Sequence, residues 1–501
     1  MLTAEQEAIV YSNLKHLKVL SAAGSGKTTV LVGRIAQLHQ NGADPSSMLV
    51  ITFTRRAGKE LIHRLPLSCH TATIGTFHST ILRVMQANGR NPNVLTEEEA
   101  DALVDSCAKS LGLMINGKYK KHSRKHYKKE ISKARNGGPA TPMSQMYQSQ
   151  LAINGDIDFD GILLEGVRMV GRGEFNWVKH LFVDEAQDNE PLQWAFVNAI
   201  AAFADVMVVG DIGQSLYSFR GAVPEQFAAQ GWPTLEMQES FRFPRNIGDI
   251  SNLIGATPLR VFSKKLAVPV MIHKNRPIQE LVKHTLQFRD PSDVAILCRY
   301  NDQVEQVRAD LQSAGISVVV PSIQWRGPLH DLLIYLGSTG SRTARERLIS
   351  SWRDTRPKIV QYIASGLSQQ AASAMALEWI SSTSGSVTSV INNIEMPSSM
   401  IPEATWVLRE YGSLDLAQYK AETSEQEWIA DGKGVSVGTV HWSKGGQWPE
   451  VIIPFLDQYK FPRHKASPEE LRVLYVAITR VMDQLHLMHG DRPSEFLKFF
   501  A

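Results

Sequence analysis

The chain has 501 residues, of which 43% are hydrophobic and 21% are charged, with 35 glycines and 23 prolines. This composition is typical of globular proteins and excludes a disordered or fibrous chain, and the length is enough for roughly three domains. The three cysteines, Cys69, Cys107 and Cys298, are far apart and form no CxxC pair, which argues against a disulfide framework and a tetrahedral zinc site. We therefore expect a reducing, cytoplasmic compartment.

No segment of the sequence is typical of a targeting signal or a membrane span. Glu5 and Glu7 stand where a secretion signal would need a basic region. The longest apolar stretches, such as residues 451–456, are much shorter than the roughly 20 residues of a membrane-spanning helix. The net charge is +3, from 53 basic and 50 acidic residues, so a nucleic-acid partner has to be argued from local clusters. We expect no membrane partner.

Short apolar runs that alternate with helical patterns predict two α/β cores with parallel sheets. Two of these runs, at 180–188 and 204–211, end in acidic residues, and ligands bind at such strand ends in open α/β sheets. The predicted strands lie at 16–23, 47–53, 71–77, 180–188 and 204–211 in the first core and at 293–301, 313–320, 435–440, 449–455 and 485–490 in the second.

Two segments without strand patterns interrupt these cores. Residues 88–160 are rich in helix formers and predict an inserted helical subdomain, and residues 328–432 predict another. Within the latter, the Ser/Thr-rich stretch 381–393 is typical of a flexible connection. The predicted domains are 1–88 and 161–232 for the first core, 89–160 for its insertion, 233–327 and 433–501 for the second core, and 328–432 for its insertion.

The first insertion contains a strongly basic segment at 118–135. It holds nine lysines and arginines, with Glu130 as its single acidic residue. Such a run either forms a solvated helix face or contacts phosphates. The basic residues are Lys118, Lys120, Lys121, Arg124, Lys125, Lys128, Lys129, Lys133 and Arg135.

Residues 21–28, SAAGSGKT, match the phosphate-binding pattern GxxxxGK(S/T) except that Ser21 replaces the first glycine. The glycines let successive backbone N–H groups face phosphates, Lys27 supplies a positive charge, and Thr28 offers a hydroxyl to Mg²⁺. A plain strand-to-helix turn is the alternative for this string alone. The predicted nucleotide contacts in this phosphate loop are Ala22, Ala23, Gly24, Ser25, Gly26, Lys27, Thr28 and Thr29.

A second motif, FVDEAQD, places two carboxylates directly after an apolar strand. Asp184 can hold Mg²⁺ together with Thr28, while Glu185 can orient and deprotonate an attacking water. Two solvated acids at a strand end are the alternative. Together with the phosphate loop, these carboxylates predict hydrolysis of ATP.

Nine strings now occur in a fixed order along the chain: LTAEQ, AAGSGKT, ITFTRRAGKEL, GTFHS, VDEAQD, VVGDIGQSLYSFRGA, ESFRFP, VGTVHWSKGGQWPEVIIP and LYVAITR. In this order they resemble the motifs of superfamily 1 helicases, most of all the UvrD/Rep branch, from residue 2 to residue 497. The resemblance implies an α/β fold with two RecA-like P-loop cores built on parallel sheets, each with a mainly helical inserted subdomain.

The resemblance also implies roles at the nucleotide. Gln6 would read the adenine and Phe241 would stack on it, while Gln214 would sense the γ-phosphate. Arg242 and Arg480 would be arginine fingers, because a guanidinium from a mobile second lobe stabilises the transferring charge only when the lobes close. The implied catalytic set is Lys27, Asp184, Glu185, Gln214, Arg242 and Arg480.

One position of the nucleotide set departs from the family. Gln447 is an amide where relatives carry a carboxylate that contacts the nucleotide sugar. Gln447 would still lie at the nucleotide, but the resemblance leaves ribose discrimination open.

The resemblance further implies a track for single-stranded DNA. Aromatic faces would stack on bases regardless of sequence, while hydroxyls and cations would hold the backbone. Phe219 stands where most relatives carry Trp, so it either contacts a base or belongs to the core. The implied DNA contacts are Phe53, Thr54, Thr76, His78, Tyr217, Phe219, Arg220, Thr439, His441 and Lys444.

The resulting expectation is an ATP-dependent DNA helicase that uses ATP and Mg²⁺ and moves 3′ to 5′ on single-stranded and tailed duplex DNA. Its partners would be nuclease or replication and repair proteins. Because residues 328–432 are fewer than in the insertion of larger relatives, a DNA-stimulated motor subunit of a nuclease or defence complex is the alternative. A P-loop small-molecule kinase would need neither the arginine fingers nor the TVHWSKG string.

Overall fold

The computed structural model describes most of the chain and divides it into two compact units. The first unit comprises Met1–Gly75, Phe175–Ser322 and Trp428–Ala501, and the second comprises Thr76–Glu174 and Ile323–Glu427. The described residues are 2–115, 117–218, 221–319, 328–336, 386–392, 394, 404–405, 407–408, 411–416, 418–419, 423, 434–464 and 466–500.

Helices and strands alternate along most of the described chain. The elements before residue 240 are α1 (Ala4–Val10), β1 (His16–Ser21), α2 (Lys27–Gln40), β2 (Met48–Ile51), α3 (Arg55–Arg64), β3 (Thr73–Gly75), α4 (Phe77–Ala87), β4 (Asn93–Val94), α5 (Glu97–Ser110), β5 (Met114–Ile115), β6 (Lys118–Tyr119), α6 (Arg124–Arg135), α7 (Pro142–Asn154), β7 (Asp156–Ile157), α8 (Phe159–Gly171), β8 (His180–Val183), α9 (Pro191–Ala201), β9 (Asp205–Gly210), α10 (Pro224–Ala229) and β10 (Thr234–Met237). The later elements are α11 (Arg245–Ile254), β11 (Met271–Lys274), α12 (Ile278–Thr285), β12 (Val294–Cys298), α13 (Asn301–Ser313), β13 (Val318–Val319), α14 (Pro328–Leu336), α15 (Val387–Asn392), β14 (Val435–Thr439), β15 (Trp448–Ile453), α16 (Pro468–Ile478) and β16 (Val481–His489).

The first core, residues 2–75 and 175–237, is built on a six-stranded parallel sheet in the order β10-β1-β9-β8-β2-β3. Strands β2, β8 and β9 are almost entirely buried apolar runs, as expected where a parallel sheet is covered on both faces. Because the strands are parallel, their carboxyl ends meet at one edge. The sequence motifs that follow β1, β2, β8 and β9 therefore share that edge.

The second core, the described residues 238–319 and 434–500, has its own six-stranded parallel sheet in the order β11-β16-β15-β12-β14-β13. Helix α16 is buried along most of its length, from Val473 to Ile478. It packs in one hydrophobic cluster with strands β12, β15 and β16. Ala22 and Ala23 of the phosphate loop join the same cluster, so the two cores share a continuous interior.

Strands β10 and β11, each at one edge of its sheet, were not predicted from the sequence. Strand β10 lies beyond the predicted boundary between residues 232 and 233, yet it pairs with β1, with Val19 beside Leu235. The first sheet therefore extends to Met237, and that boundary needs correction. Strand β11 is mostly exposed, while β10 is exposed at two of its four residues and buried at Met237. Neither strand has the continuous apolar run that marks a buried strand.

The second unit contains helices α4 to α8 and, from the later part of the chain, α14 and α15. Helices α5, α6 and α7 pack around a small core that includes Val104, Ile131 and Tyr147. Helix α8 lies so close to α4 that a Cβ on Gly166 would be 2.5 Å from Cδ1 of Ile81. The prediction of a mainly helical insertion agrees with these elements.

One prediction for the later insertion was wrong. The stretch expected to be a flexible connection contains helix α15, in which Val387, Val390 and Ile391 are buried. Their spacing of three and four residues places them on one face of a helix, which outweighs the Ser/Thr-rich composition. Residues 381–385 and 393 of that stretch lie outside the described residues. Among the helices that the structure describes, none has the length and apolar character needed to cross a bilayer.

Candidate nucleotide site and nucleic-acid interface

The phosphate loop curls around two glycines between β1 and α2. Gly24 and Gly26 have φ angles of +76° and +91°, a region that residues with a Cβ rarely adopt. A Cβ on Gly24 would lie 2.6 Å from Cβ of Arg242, and one on Gly26 would lie 2.8 Å from Nε2 of Gln6. No side chain caps α2. The first backbone N–H groups of that helix are therefore available to bind an anion.

The remaining predicted residues of the loop differ in their surroundings. Ala22 and Ala23 are fully buried, and their backbone N–H groups donate to the carbonyl of Met237 at 2.8 Å and to the Tyr475 hydroxyl at 3.4 Å, respectively. The buried Ser25 hydroxyl has no hydrogen-bond partner among the described residues. In the first turn of α2, Thr28 is partly buried and Thr29 is exposed. Among the described residues, the loop and the first turn of α2 therefore contain one hydroxyl without a partner, that of Ser25, and one exposed hydroxyl, that of Thr29.

Gln6 of the first core and Phe241, which lies shortly after β10 at the start of the second core, both contact the phosphate loop. Nε2 of Gln6 donates a hydrogen bond to the carbonyl of Ser25 at 2.9 Å, and its Oε1 accepts from the backbone of Thr3 at the start of α1. The backbone N–H of Phe241 donates to the carbonyl of Gly24 at 3.0 Å, while the Phe241 residue is 50% exposed. An accessible ring fixed beside the loop is suited to stacking on a base.

Three carboxylates after β8, those of Asp184, Glu185 and Asp188, form an acid cluster. Glu185 has a φ of +51°, a left-handed conformation that costs roughly 1–2 kcal/mol for a residue with a Cβ. Nζ of Lys27 lies 3.4 Å from Oε1 of Glu185, and Nζ of Lys444 lies 3.8 Å from its Oε2. Lys444 also forms an ion pair with Asp188. Two lysines, one from each core, thus compensate the acid cluster.

Burial and neighbouring charges shift the pKa values of the adjacent carboxylates Asp184 and Glu185 in opposite directions. Burial, together with the negative charge of Glu185, raises the pKa of Asp184. Burial would also raise the pKa of Glu185, but the Lys27 and Lys444 ammoniums outweigh that effect and lower it. Glu185 is therefore the carboxylate that stays ionised and can accept a proton. Asp184 and the Thr28 hydroxyl offer the hard oxygen ligands that Mg²⁺ prefers, so these residues fit that metal.

Gln187 ties the ends of β8 and β9 together. Its Oε1 accepts a hydrogen bond from the backbone N–H of Asp211 at 2.9 Å, and its Nε2 donates to Oε2 of Glu185 at 2.5 Å. Gln187 is fully buried. The amide therefore fixes the orientation of Glu185 relative to the next strand of the sheet.

A chain of hydrogen bonds runs from the phosphate loop to Arg480 through both cores. The Tyr475 hydroxyl accepts from the backbone N–H of Ala23 at 3.4 Å and donates to Oδ2 of Asp211 at 3.1 Å. The same oxygen accepts from Nε2 of Gln214 at 2.8 Å. Oε1 of Gln214 then accepts from Nη2 of Arg480 at 3.0 Å. Gln214 therefore orients a guanidinium of the second core.

Both predicted arginine fingers are held by neutral acceptors. Arg480 is 1% exposed, and its Nη1 donates to the carbonyl of Gly446 at 3.3 Å. Nε of Arg242 donates to Oε1 of Gln447 at 3.0 Å, and its Nη1 donates to the carbonyl of Thr479 at 3.1 Å. Among the described residues, no carboxylate oxygen lies within 4.0 Å of either guanidinium. Burial and the neighbouring Arg242 lower the pKa of Arg480, so this pair favours an incoming anion.

Three of the predicted DNA contacts form a cluster of their own. The rings of Phe53 and Tyr217 stack with centroids 4.9 Å apart and an interplanar angle of 20°. Nζ of Lys444 lies 5.6 Å from the centroid of Phe53 and 5.1 Å from that of Tyr217. Lys444 therefore contacts this aromatic pair and the acid cluster at the same time.

The predicted hydroxyl contacts have structural partners. Oγ1 of Thr54 accepts from the backbone N–H of Ala57 at 3.2 Å and caps α3. Oγ1 of Thr76 caps α4 in the same way, and Oγ1 of Thr439 accepts from the backbone N–H of Trp442 at 3.3 Å. Each hydroxyl fixes a turn beside its strand, and that of Thr76 also donates to Oγ of Ser79 at 3.2 Å.

The other predicted DNA contacts are divided between the two units. His78, in the second unit with Thr76, is buried against Phe159, with ring centroids 5.0 Å apart. His441 is partly buried in the first unit. Phe219 and Arg220 lie outside the described residues.

Comparison with protein-family models gives two matches, one to the first core with its insertion and one to the later part of the second core. Residues 2–231 match the UvrD/REP helicase N-terminal domain, and residues 392–490 match the UvrD-like helicase C-terminal domain. The chain belongs to the UvrD/Rep helicase family. These matches confirm the predicted family, the α/β fold class with two parallel sheets, and the helicase enzyme class.

Two curated UvrD/Rep relatives match nearly the whole chain. The protein named ATP-dependent DNA helicase PcrA from Staphylococcus epidermidis is 24% identical over 629 aligned positions, which cover 99% of this chain and 86% of the relative. The protein of the same name from Staphylococcus aureus is 23% identical over 626 positions with the same coverage. The similarity therefore extends over both cores and both insertions.

Within this UvrD/Rep site, sequence reasoning missed four residues that hold the others in place. Asp211 directly follows a buried strand, which is the signal that also revealed Asp184. Gln187 and Asp188 occur in the quoted string VDEAQD, and Asp188 is identifiable only through its ion pair with Lys444. Tyr475 lies in an apolar helix and is indistinguishable from a core aromatic by pattern.

Proposed function

We propose that this UvrD/Rep helicase hydrolyses ATP with Mg²⁺ at the site shared by its two cores and thereby moves 3′ to 5′ on single-stranded DNA, unwinding duplex DNA ahead of it. The observation that carries the proposal is the hydrogen-bonded chain from Ala23 through Tyr475, Asp211 and Gln214 to Arg480. It joins the phosphate loop of one core to a guanidinium of the other. The direction of movement is the one that the family resemblance implies.

The residues of the two cores have complementary roles toward ATP. The backbone of the phosphate loop and Lys27 bind the phosphates, and Phe241 stacks on the base. Arg242 and Arg480 compensate the charge that accumulates on the transferring phosphoryl oxygens. Mg²⁺, held by Thr28 and Asp184, would neutralise phosphate charge when bound. ATP therefore needs groups from both cores to be hydrolysed.

Glu185 is the proposed general base. Its carboxylate is ionised because two ammoniums lower its pKa, and the Gln187 amide fixes its orientation. An oriented, ionised carboxylate can accept the proton of a water that attacks the terminal phosphorus. The products are ADP and inorganic phosphate.

Lys444 is the proposed connection between DNA and hydrolysis. It contacts Glu185 and Asp188 on one side and the Phe53–Tyr217 pair on the other. A base on the aromatic pair brings its phosphate close to the ammonium, which then divides its charge between the phosphate and the acid cluster. Because Lys444 helps to set the pKa of Glu185, DNA binding would change the reactivity of the general base.

The basic segment 118–135 supplies further proposed phosphate contacts. Arg124, Lys128 and Arg135 are paired with carboxylates of the same unit. The carboxylates of these pairs belong to Asp105, Asp101 and Asp158, which lie outside the segment. Six lysines have no ion-pair partner among the described residues: Lys118, Lys120, Lys121, Lys125, Lys129 and Lys133. Unpaired surface lysines bind phosphates irrespective of sequence and with a strong salt dependence.

The decisive experiment measures strand separation and ATP turnover together, on duplexes that carry either a 3′ or a 5′ single-stranded tail. Unwinding from the 3′ tail alone is the expected result. Unwinding from the 5′ tail alone would contradict the proposed direction. Turnover that DNA stimulates without any unwinding would instead support the motor-subunit alternative, and turnover that DNA leaves unchanged would contradict both.

A further inference from the structure

We propose that Gln447 is a positioning residue, which orients the Arg242 guanidinium for its contact with the phosphates of ATP. The inference rests on the proposed function, because it assigns Arg242 to the bound nucleotide. It departs from the sugar contact that the family resemblance implies for this position. The observation behind it is that both ends of the Arg242 side chain are fixed.

The near end of Arg242 is fixed on the phosphate loop. The preceding residue, Phe241, donates its backbone N–H to the carbonyl of Gly24 at 3.0 Å. Cβ of Arg242 is so close to the loop that a Cβ added to Gly24 would lie only 2.6 Å from it. The backbone N–H of Arg242 donates to Oγ of Ser240 at 3.3 Å. The side chain therefore starts from a fixed point beside the loop.

The far end of Arg242 is fixed by two acceptors of the second core. Nε donates to Oε1 of Gln447 at 3.0 Å, and Nη1 donates to the carbonyl of Thr479 at 3.1 Å. A guanidinium is planar and has five N–H donors, so two bonds determine the plane and leave three donors for a phosphate. Gln447 provides the only side chain among the residues described that accepts from this guanidinium.

The segment that carries Gln447 is itself well anchored. The backbone N–H of Gly446 donates to the carbonyl of Ser443 at 2.9 Å, and that of Trp448 donates to the carbonyl of Arg480 at 3.0 Å. The carbonyl of Gly446 also accepts from Nη1 of Arg480 at 3.3 Å. The consecutive residues Gly446 and Gln447 therefore hold the two arginines. The backbone oxygen of Gly446 accepts from Arg480, and the side-chain oxygen of Gln447 accepts from Arg242.

The neutral character of the Gln447 acceptor matters for a residue that must bind an anion. A carboxylate at this position would form a charge-assisted pair with Arg242, and that pair would compete with the phosphate. An amide oxygen orients the guanidinium without neutralising it. No carboxylate oxygen among the described residues lies within 4.0 Å of Arg242, so the full cationic charge remains for the nucleotide.

The first test replaces Gln447 by methionine, which is similar in length but lacks the acceptor. ATP hydrolysis is measured at saturating single-stranded DNA. We expect kcat to fall about tenfold, as for a charged group that loses one hydrogen bond, while KM for ATP changes less than about threefold. Gln447→Glu restores an acceptor, so its kcat should return to within about threefold of the original, with a higher KM because the carboxylate competes. Unchanged kcat in Gln447→Met would overturn the inference.

Two controls separate positioning of Arg242 from a general disturbance of the core and from a sugar contact. Gln484→Met changes a glutamine of the same core whose amide bonds the carbonyl of Pro269, and it should leave kcat and KM unaltered. ATP and 2′- or 3′-deoxyATP are compared in Gln447→Met. A positioning role leaves their ratio of kcat/KM unchanged, whereas a selective loss of discrimination would show a sugar contact and contradict the proposal.

A double-mutant cycle links the effect to Arg242. If Gln447 acts through Arg242, then Gln447→Met should change kcat by less than about twofold in an Arg242→Ala background. Effects that multiply independently would contradict the proposal. If Arg242→Ala itself leaves turnover unchanged, the proposed function of Arg242 fails. If Arg242→Ala is strongly impaired and Gln447→Met is not, only the inference about Gln447 fails.

Discussion

The two parallel sheets contribute to one site in different ways. The first core presents its groups at the carboxyl ends of adjacent strands, where the phosphate loop follows β1 and the acid cluster follows β8. The second core contributes Arg480 directly after helix α16 and Arg242 from the segment between β10 and α11. The first arrangement is that of a ligand-binding sheet edge. The second core instead contributes side chains to a site that lies at the edge of the first core's sheet.

The two cores also contribute opposite charges to the site. The first core places four buried or partly buried carboxylates near the loop, and burial raises the pKa of both Asp188 and Asp211. The second core places two guanidiniums on neutral acceptors. A nucleotide with its metal complements both halves, because it presents a cation to the carboxylates and phosphate oxygens to the arginines. We infer that the first core binds the phosphates and metal and supplies the general base, whereas the second core supplies the cations that stabilise the transition state.

Removal of Arg480 should produce the largest effect. Arg480→Ala removes a guanidinium that would stabilise charge in the transition state, so kcat should fall by at least about 10³-fold, with a smaller loss of ATP affinity. Steady-state hydrolysis and binding of a fluorescent ATP analogue measure the two quantities.

Because Arg480 is buried, folding has to be checked for its variants. Circular dichroism tests Arg480→Ala, and Arg480→Lys provides a second variant that keeps a cation. Arg492→Ala, at an exposed arginine, is the matched control and should behave as the original protein. Hydrolysis by folded Arg480→Ala within tenfold of the original would contradict the division between the cores.

Removal of Lys27 should affect both binding and turnover. Lys27→Ala deletes the ammonium of the phosphate loop, so ATP affinity and kcat should both decrease, the latter by about 10³-fold. Binding of single-stranded DNA, measured by fluorescence anisotropy, should persist because the proposed DNA contacts remain. A variant that loses kcat with unchanged ATP affinity would contradict the proposed role of Lys27 in ATP binding.

Substitution of Lys444 tests the connection between DNA and the acid cluster. In Lys444→Met, DNA should stimulate ATP turnover about tenfold less than in the original protein, because the proposed contact between DNA and the acid cluster is lost. The ratio of turnover with and without single-stranded DNA is the measurement. Lys283→Met, at an exposed position of α12, is the control. An unaltered ratio in Lys444→Met would contradict the proposed connection.

The sequence predicts the first core more completely than the second, for a physical reason. The phosphate loop and the acids are local strings next to buried strands, so a single segment contains both the structural and the chemical signal. The bond from Tyr475 to Asp211 joins residues 264 positions apart, and nothing local in an apolar helix reveals it. The arginines could be assigned only through the family resemblance.

Other features of the fold escaped prediction for the same reason. The edge strands β10 and β11 carry no continuous apolar run, and their position depends on a partner strand elsewhere in the chain. The capping roles of Thr54 and Thr76 follow from where helices begin. The first residue of each helix is known only from the folded backbone, so these capping roles could not be assigned from the sequence.

Removal of the Tyr475 hydroxyl should have a moderate effect. Tyr475→Phe keeps the buried ring but removes its bonds to Ala23 and Asp211, each worth about 1 kcal/mol. We expect kcat to fall about fivefold, together with a small decrease in melting temperature. Tyr459→Phe, at a tyrosine that is 75% exposed, should change neither quantity. A decrease in melting temperature without any change in kcat would assign Tyr475 to stability alone.

The smallest predicted effect concerns the second sheet away from the nucleotide. Burial and the neighbouring His486 lower the pKa of His273 to about 4, whereas the unfolded chain has an ordinary histidine pKa near 6.5. Between pH 4 and pH 6.5 the unfolded state binds more protons than the folded state. The stabilisation that comes from keeping His273 neutral in the fold is therefore complete above pH 6.5 and is lost as the pH falls toward 4. Because His273 is only partly buried, we expect less than ~1 kcal/mol.

A comparison of melting temperatures tests this sign. In His273→Gln, the decrease in melting temperature between pH 7 and pH 5 should be smaller than in the original protein by about 1–2 °C. His464→Gln, at an exposed position, should retain the original decrease. A larger decrease in His273→Gln would show that protonation of His273 stabilises the fold. The second sheet would then be more stable, not less, when this histidine is charged.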